Sequence, residues 1–87
     1  FKNCAKLTDL SPIQNWNTRN VTNMKNAFYG MTSLTDASPI NGWDVSSVTD
    51  FTDMFRNTTA KPTYFTKNGG TVSITWTGAG NGTPQVP

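Results

Sequence analysis

The sequence predicts a small α/β solenoid of 27-residue coils. Each coil carries one short helix and one short extended segment, and a C-terminal β cap closes the stack. Three observations carry this reading. Trp43–Phe55 repeats Trp16–Phe28, and the 27-residue offset also holds Phe1, Phe28 and Phe55 in step, as it does Leu7 with Leu34, Asp9 with Asp36 and Val21 with Val48. Ser11-Pro12-Ile13 recurs as Ser38-Pro39-Ile40. Within each copy, apolar residues fall at helical spacing. A fixed period of roughly 20–50 residues marks units that bury their apolar faces against their neighbours.

Residues 1–57 read as the repeat region. Phe1, Cys4, Leu7, Leu10, Ile13 and Trp16 place an apolar residue at every third position, and Phe28, Met31, Leu34, Ala37, Ile40 and Trp43 do so again. A step of three suits neither a strand nor a long helix, and Pro12 and Pro39 exclude a helix there. The pattern predicts a short extended segment around Leu34 to Ala37, then a coil turning through Ser-Pro-Ile to the Trp. Trp16 and Trp43 are expected to be buried and adjacent.

Residues 20–30 and 47–57 are expected as short helices. Met24, Ala27, Phe28 and Met31 stand at i, i+3, i+4 and i+7, as do Phe51, Met54, Phe55 and Thr58. Asn20 and Thr22, or Ser47 and Thr49, offer N-cap oxygens. Gly30 can end the first helix in a left-handed conformation. Helices this short depend on their packed face.

After Phe55 the register decays. Residues 58–77 are expected as the cap: Thr63-Tyr64-Phe65 adds an extended segment, Asn68-Gly69-Gly70 is a turn signal, and residues 71–77 alternate as one strand with Val72, Ile74 and Trp76 on one face. Residues 78–87 read as a flexible tail or linker without apolar pattern. Phe1 falls where a helix should be ending, so the chain reads as a portion of a longer repeat array.

Composition narrows the function. Apolar residues make up 34% of the 87 positions and aromatics 11%, which suits one small aromatic-rich core. A net charge of +2 does not call for nucleic acid or an anionic membrane. No apolar run is long enough to insert into a bilayer. The single Cys4 is in register with Met31 and Thr58, a phase that reads as a packing site more readily than as a reactive thiol.

The string Trp-Asn/Asp-Thr/Val-x-x-Val-Thr-Asn/Asp-Met/Phe-x-x-Ala/Met-Phe, followed after five residues by Leu-Thr, covers residues 1–60. It resembles the repeat of BspA-type leucine-rich-repeat surface proteins, a repeat also found in mycoplasma and lactobacillus surface proteins. The resemblance implies a leucine-rich-repeat-like fold, a bacterial extracellular or cell-surface location within a longer protein, and a role in adhesion. Ala27 stands where the family usually has Met, and Met31 where Cys is common. The family supplies no active site to transfer.

The residues agree that this is not an enzyme. There is no His, and all five acids are Asp, which removes the common general bases, the Ser-His-Asp triad and the usual zinc sites. No phosphate-binding loop is present, and no cofactor is expected. Asp9 and Asp36 would lie about 5 Å apart if coils stack at strand spacing. That pair is a minority candidate for Ca²⁺; the favoured reading is two aspartates capping their own turns. Tyr29, Tyr64 and Trp76 break the register and are the surface-contact candidates. Three glycosylation sequons are no more than expected in a chain rich in Asn and Thr.

Three functions follow from the sequence. The first is a surface module that binds host or neighbouring-cell proteins or glycans. The second is a stalk or spacer in a larger surface protein. The third is a glycan-binding accessory domain. Adjacent repeats of the parent chain are also expected partners.

Overall fold

The computed structural model describes residues 2–87; Phe1, which the sequence places in phase with Phe28 and Phe55, lies outside the described residues. Among the described residues there is no α-helix. Regular structure among these residues consists of three 3₁₀ turns, Ser11–Ile13, Ser38–Ile40 and Ala79–Asn81, and four short strands: β1 Tyr64–Lys67, β2 Gly70–Ser73, β3 Thr75–Thr77 and β4 Thr83–Gln85. The strands form two separate antiparallel pairs, β1 with β2 and β3 with β4. The expected helix-plus-strand, leucine-rich-repeat-like solenoid is therefore overturned.

The helices fail for a backbone reason. Asn26, inside the expected 20–30 helix, has φ of 59°, and Asp53, inside the expected 47–57 helix, has φ of 56°. Left-handed residues interrupt a right-handed helix, and Asn and Asp tolerate that conformation better than most residues. A second left-handed position recurs at Asn3, Gly30 and Asn57, each 27 residues apart.

The freed amides are still satisfied, in an alternating way. Those of Met24, Asn26, Phe28 and Gly30 donate to the carbonyls of Asp50, Thr52, Met54 and Arg56 in the next repeat, at 2.8–3.1 Å. Those of Ala27 and Tyr29 close local turns onto Met24 and Asn26. This ladder of successive turns replaces the i to i−4 bonds and meets the requirement that buried backbone groups be paired.

The 27-residue register survives as contacts. Asp9 bridges Asp36, within the short extended segment expected around Leu34 to Ala37, and Asn23 bridges Asp50, where helices were expected, each as a single parallel pair. Phe28 stacks on Phe55 with ring centroids 4.9 Å apart, and Trp16 stacks on Trp43 at 6.4 Å. Ser-Pro-Ile forms a 3₁₀ turn in both copies, with Pro in its opening positions where no amide is required. The core collects Leu10, Ile13, Phe28, Met31, Leu34, Ile40, Met54, Phe55 and Phe65, all buried. Burial of each large side chain contributes about 1.5–3 kcal/mol. A buried hydroxyl network runs through Thr58, which accepts from the Met31 amide at 3.0 Å and donates to the Phe28 carbonyl.

The C-terminal region departs from expectation twice. Residues 71–77 are not one strand: the run divides at Ile74, so β2 pairs with β1 across the Asn68-Gly69 turn while β3 pairs with β4. Both turn residues have positive φ, as a tight hairpin of this twist demands. β1 continues the stack. The amide of Gly42 donates to Tyr64, that of Thr66 to Trp43 and that of Val45 to Thr66, at 2.8–3.0 Å.

Residues 78–87, expected as a flexible tail, hold a 3₁₀ turn and β4. The Gly82 carbonyl accepts the Phe55 amide at 2.8 Å, and the Thr83 hydroxyl accepts the Asp53 amide at 2.9 Å. The last segment thus meets donors on the outer edge of the second repeat. Trp76 sits edge-on to Phe55 at 5.2 Å, and its indole donates to Pro62 at 3.3 Å.

Candidate binding surface

The register decides which side chains form columns on the outside. Lys2, Tyr29 and Arg56 are 27 residues apart in turn. The Lys2 ammonium lies 5.3 Å from the Tyr29 ring centroid, and the Arg56 guanidinium 5.9 Å from the same centroid. One half-buried aromatic ring is thus flanked by two cations from the segments before and after it. Arg56 also meets Asp53 at 3.6 Å, with 40% of its side chain exposed, so that ion pair is weak. Sequence reading selected Tyr29 but missed Lys2 and Arg56. The signal was the same 27-residue offset, applied to polar positions.

The other candidates separate. Tyr64 is 40% exposed on β1, beside Gly42. Trp76 is half-buried against Phe55, with the Lys61 ammonium 5.9 Å from its ring. Tyr29, Tyr64 and Trp76 therefore do not form one aromatic patch. Trp16, expected in the core, is 55% exposed, whereas Trp43 is 7% exposed. Position in the register brings the two indoles together, and Trp43 is in addition tilted against Phe28 at 6.0 Å. Beside Trp16 opens a groove of about 340 Å³ lined also by Thr18, Val21, Met24, Ala27 and Trp43.

Asp9 and Asp36 face their own turns. Asp9 accepts from the Ser11 amide at 3.0 Å and its hydroxyl at 2.6 Å, and Asp36 accepts from the Ser38 amide at 2.9 Å. The Ser38 hydroxyl, then its amide, hold Asp36 below the ordinary carboxylate value. Asp44 is lowered in the same way by Ser46, and Asp50 by the amide and hydroxyl of Thr52. Among the described residues no three metal-ligating side chains gather. Cys4 is half-buried, while Met31 and Thr58 at the same phase are buried.

The fold defines a small repeat protein built from stacked turns, with polar columns along its sides. The model of a family described as "Mycoplasma protein of unknown function, DUF285" matches residues 1–71. The chain belongs to the DUF285 family. This agrees with the mycoplasma side of the sequence resemblance and not with the BspA type in particular. No curated protein and no solved structure matches the chain. Among the described residues no helix is long and apolar enough to cross a membrane.

Proposed function

We propose that the chain is a non-catalytic surface module that contacts macromolecules on host or neighbouring cells through the Lys2–Tyr29–Arg56 column. The observation that supports this is the ring flanked by two cations. Such a group presents an aromatic edge, a hydroxyl and positive charge together, which suits acidic protein segments or acidic glycans. A location at the cell surface is supported by the mycoplasma family and by the likeness to BspA-type surface repeats.

The spacer reading is favoured by a different observation: Trp16 and Tyr64 are the large hydrophobic side chains that stand well exposed. Scattered single aromatics are ordinary on a monomer surface. A binding screen of the 87-residue chain against matrix glycoproteins and glycans separates the two readings. The module reading predicts a hit that weakens in the Tyr29→Ala and Arg56→Ser variants. A hit indifferent to both substitutions would remove the column from the proposal, and the absence of any hit would leave the spacer.

A further inference from the structure

We infer that the β1–β2 turn is a self-modification site, at which the Gly69 nitrogen closes on the Asn68 side chain and Asn68 becomes an aspartyl or isoaspartyl residue. The main-chain nitrogen that follows an Asn can attack the side-chain carbonyl carbon, Cγ, and a glycine at that place has no Cβ to hold the two apart. Hydroxide removes the Gly69 amide proton, the nitrogen bonds to Asn68 Cγ, and the side-chain nitrogen leaves as ammonia. The product is a cyclic succinimide. Water then opens the ring at either of its carbonyls. One opening leaves aspartate at position 68, and the other sends the main chain through the β-carbon as isoaspartate.

The chain holds three such pairs, Asn41-Gly42, Asn68-Gly69 and Asn81-Gly82. Composition does not choose among them, but the fold does. Ring closure requires the backbone of the pair to leave its folded conformation, so the bonds that hold each pair decide which one reacts. At the first pair the Asn41 amide donates to Ser38 at 3.0 Å, and the Asn41 side-chain oxygen accepts the Thr63 amide at 2.8 Å. The nucleophile itself is engaged, since the Gly42 amide donates to Tyr64 at 3.0 Å. At the third pair Gly82 is buried, its amide donates to Ala79 at 3.3 Å, and its carbonyl accepts from Phe55 at 2.8 Å.

Asn68 and Gly69 are both exposed. Among the described residues neither the Asn68 side chain nor the Gly69 amide has a hydrogen-bond partner, and a Cβ at Gly69 would meet nothing within 4 Å. The Asn68 amide donates to the Ser46 hydroxyl at 2.9 Å, a bond that involves neither reacting atom. Either product replaces a neutral amide by a carboxylate next to Lys67 and lowers the net charge of +2 by one. Isoaspartate also adds an atom to the main chain in the turn that sets the pairing of Phe65 with Val72 and of Tyr64 with Ser73. β1 is bonded to Gly42, Trp43 and Val45 in the second repeat, so the change is written into the layer that continues the stack. None of this depends on the proposed ligand of the Lys2–Tyr29–Arg56 column.

The test incubates the folded 87-residue chain at neutral and at mildly alkaline pH and locates deamidation at each pair by fragment mass spectrometry. The same chain unfolded in denaturant supplies the reference rate at each pair. The folded-to-unfolded rate ratio at Asn68 should exceed those at Asn41 and Asn81 by about tenfold or more. The folded-state rate at Asn68 should rise with pH, and its product should include isoaspartate, detected with an isoaspartyl methyltransferase. Equal ratios at the three pairs, or a lead for Asn41 or Asn81, would overturn the inference. So would a rate at Asn68 indifferent to pH, or a product containing aspartate alone, because direct hydrolysis of the side chain yields no isoaspartate.

Discussion

The amide of Asn26 donates to the carbonyl of Thr52 at 3.1 Å, in the next repeat, and not to Thr22 four residues back. Its φ of 59° makes this possible, because a left-handed residue turns the chain out of the helical path. Asn26→Val places a β-branched side chain in that conformation and should destabilise the fold by about 1–3 kcal/mol. Asn26→Gly should be close to neutral. Denaturant titration of both variants measures the difference. Equal stability of the two would remove the left-handed turn from the explanation.

The Trp pair gives a second contrast. Trp43→Ala empties a buried position and should cost about 3–5 kcal/mol, enough to unfold much of a domain this small. Trp16→Ala removes a side chain that is 55% exposed and should cost distinctly less. Thermal unfolding of the two variants decides it, and a larger loss for Trp16 would contradict the packing described.

Acid should weaken the fold through Asp36, Asp44 and Asp50. Their folded values lie below the ordinary 3.8, so the ionised form favours the folded state. That contribution is fully present above the unfolded value and is lost as pH falls below 3.8 through the lowered folded values. Asp50→Asn should keep the turn, since Asn23 at the same phase accepts the Lys25 amide at 2.8 Å. The variant should therefore fold and show a shallower loss of stability on acidification. A pH–stability profile as steep as that of the parent would refute the role of Asp50.

The last ten residues should be needed for full stability. A Cβ at Gly82 would run into the backbone of Arg56. Gly82→Ala should separate the final segment from the second repeat and expose the amides of Asp53 and Phe55 to hydrogen exchange. Truncation after Thr77 should expose the same two amides. Unaltered protection at Phe55 in both would mean that the segment closes nothing.

The pairing of Phe28 with Phe55 and of Trp16 with Trp43 was legible in the sequence, because a fixed offset specifies neighbours whatever the local backbone does. The backbone itself was not. Met24, Ala27 and Phe28 have helical spacing, and successive turns satisfy that spacing equally well. The contrary signal was polar: Asn, Asp or Gly at the phases of Asn26 and Asn3 in every copy. Exposure of Trp16 was hidden for a different reason, since register names a residue's neighbour on one side and leaves the other undetermined. β4 was missed because Thr83-Pro84-Gln85 has no apolar alternation, and a Pro on an edge strand carries little strand signal. The Lys2–Tyr29–Arg56 column was overlooked because Lys, Tyr and Arg at one phase share no residue type that marks a repeat.

The ladder of turns between repeats is tested most directly by NMR couplings transmitted through the hydrogen bonds themselves. The structure predicts a coupling between the Phe28 amide nitrogen and the Met54 carbonyl carbon, the atoms of a 2.8 Å bond, and a matching one from Met24 to Asp50. A coupling from the Phe28 nitrogen to the Met24 carbonyl carbon instead would show the helix that the apolar spacing first suggested, and would contradict the account.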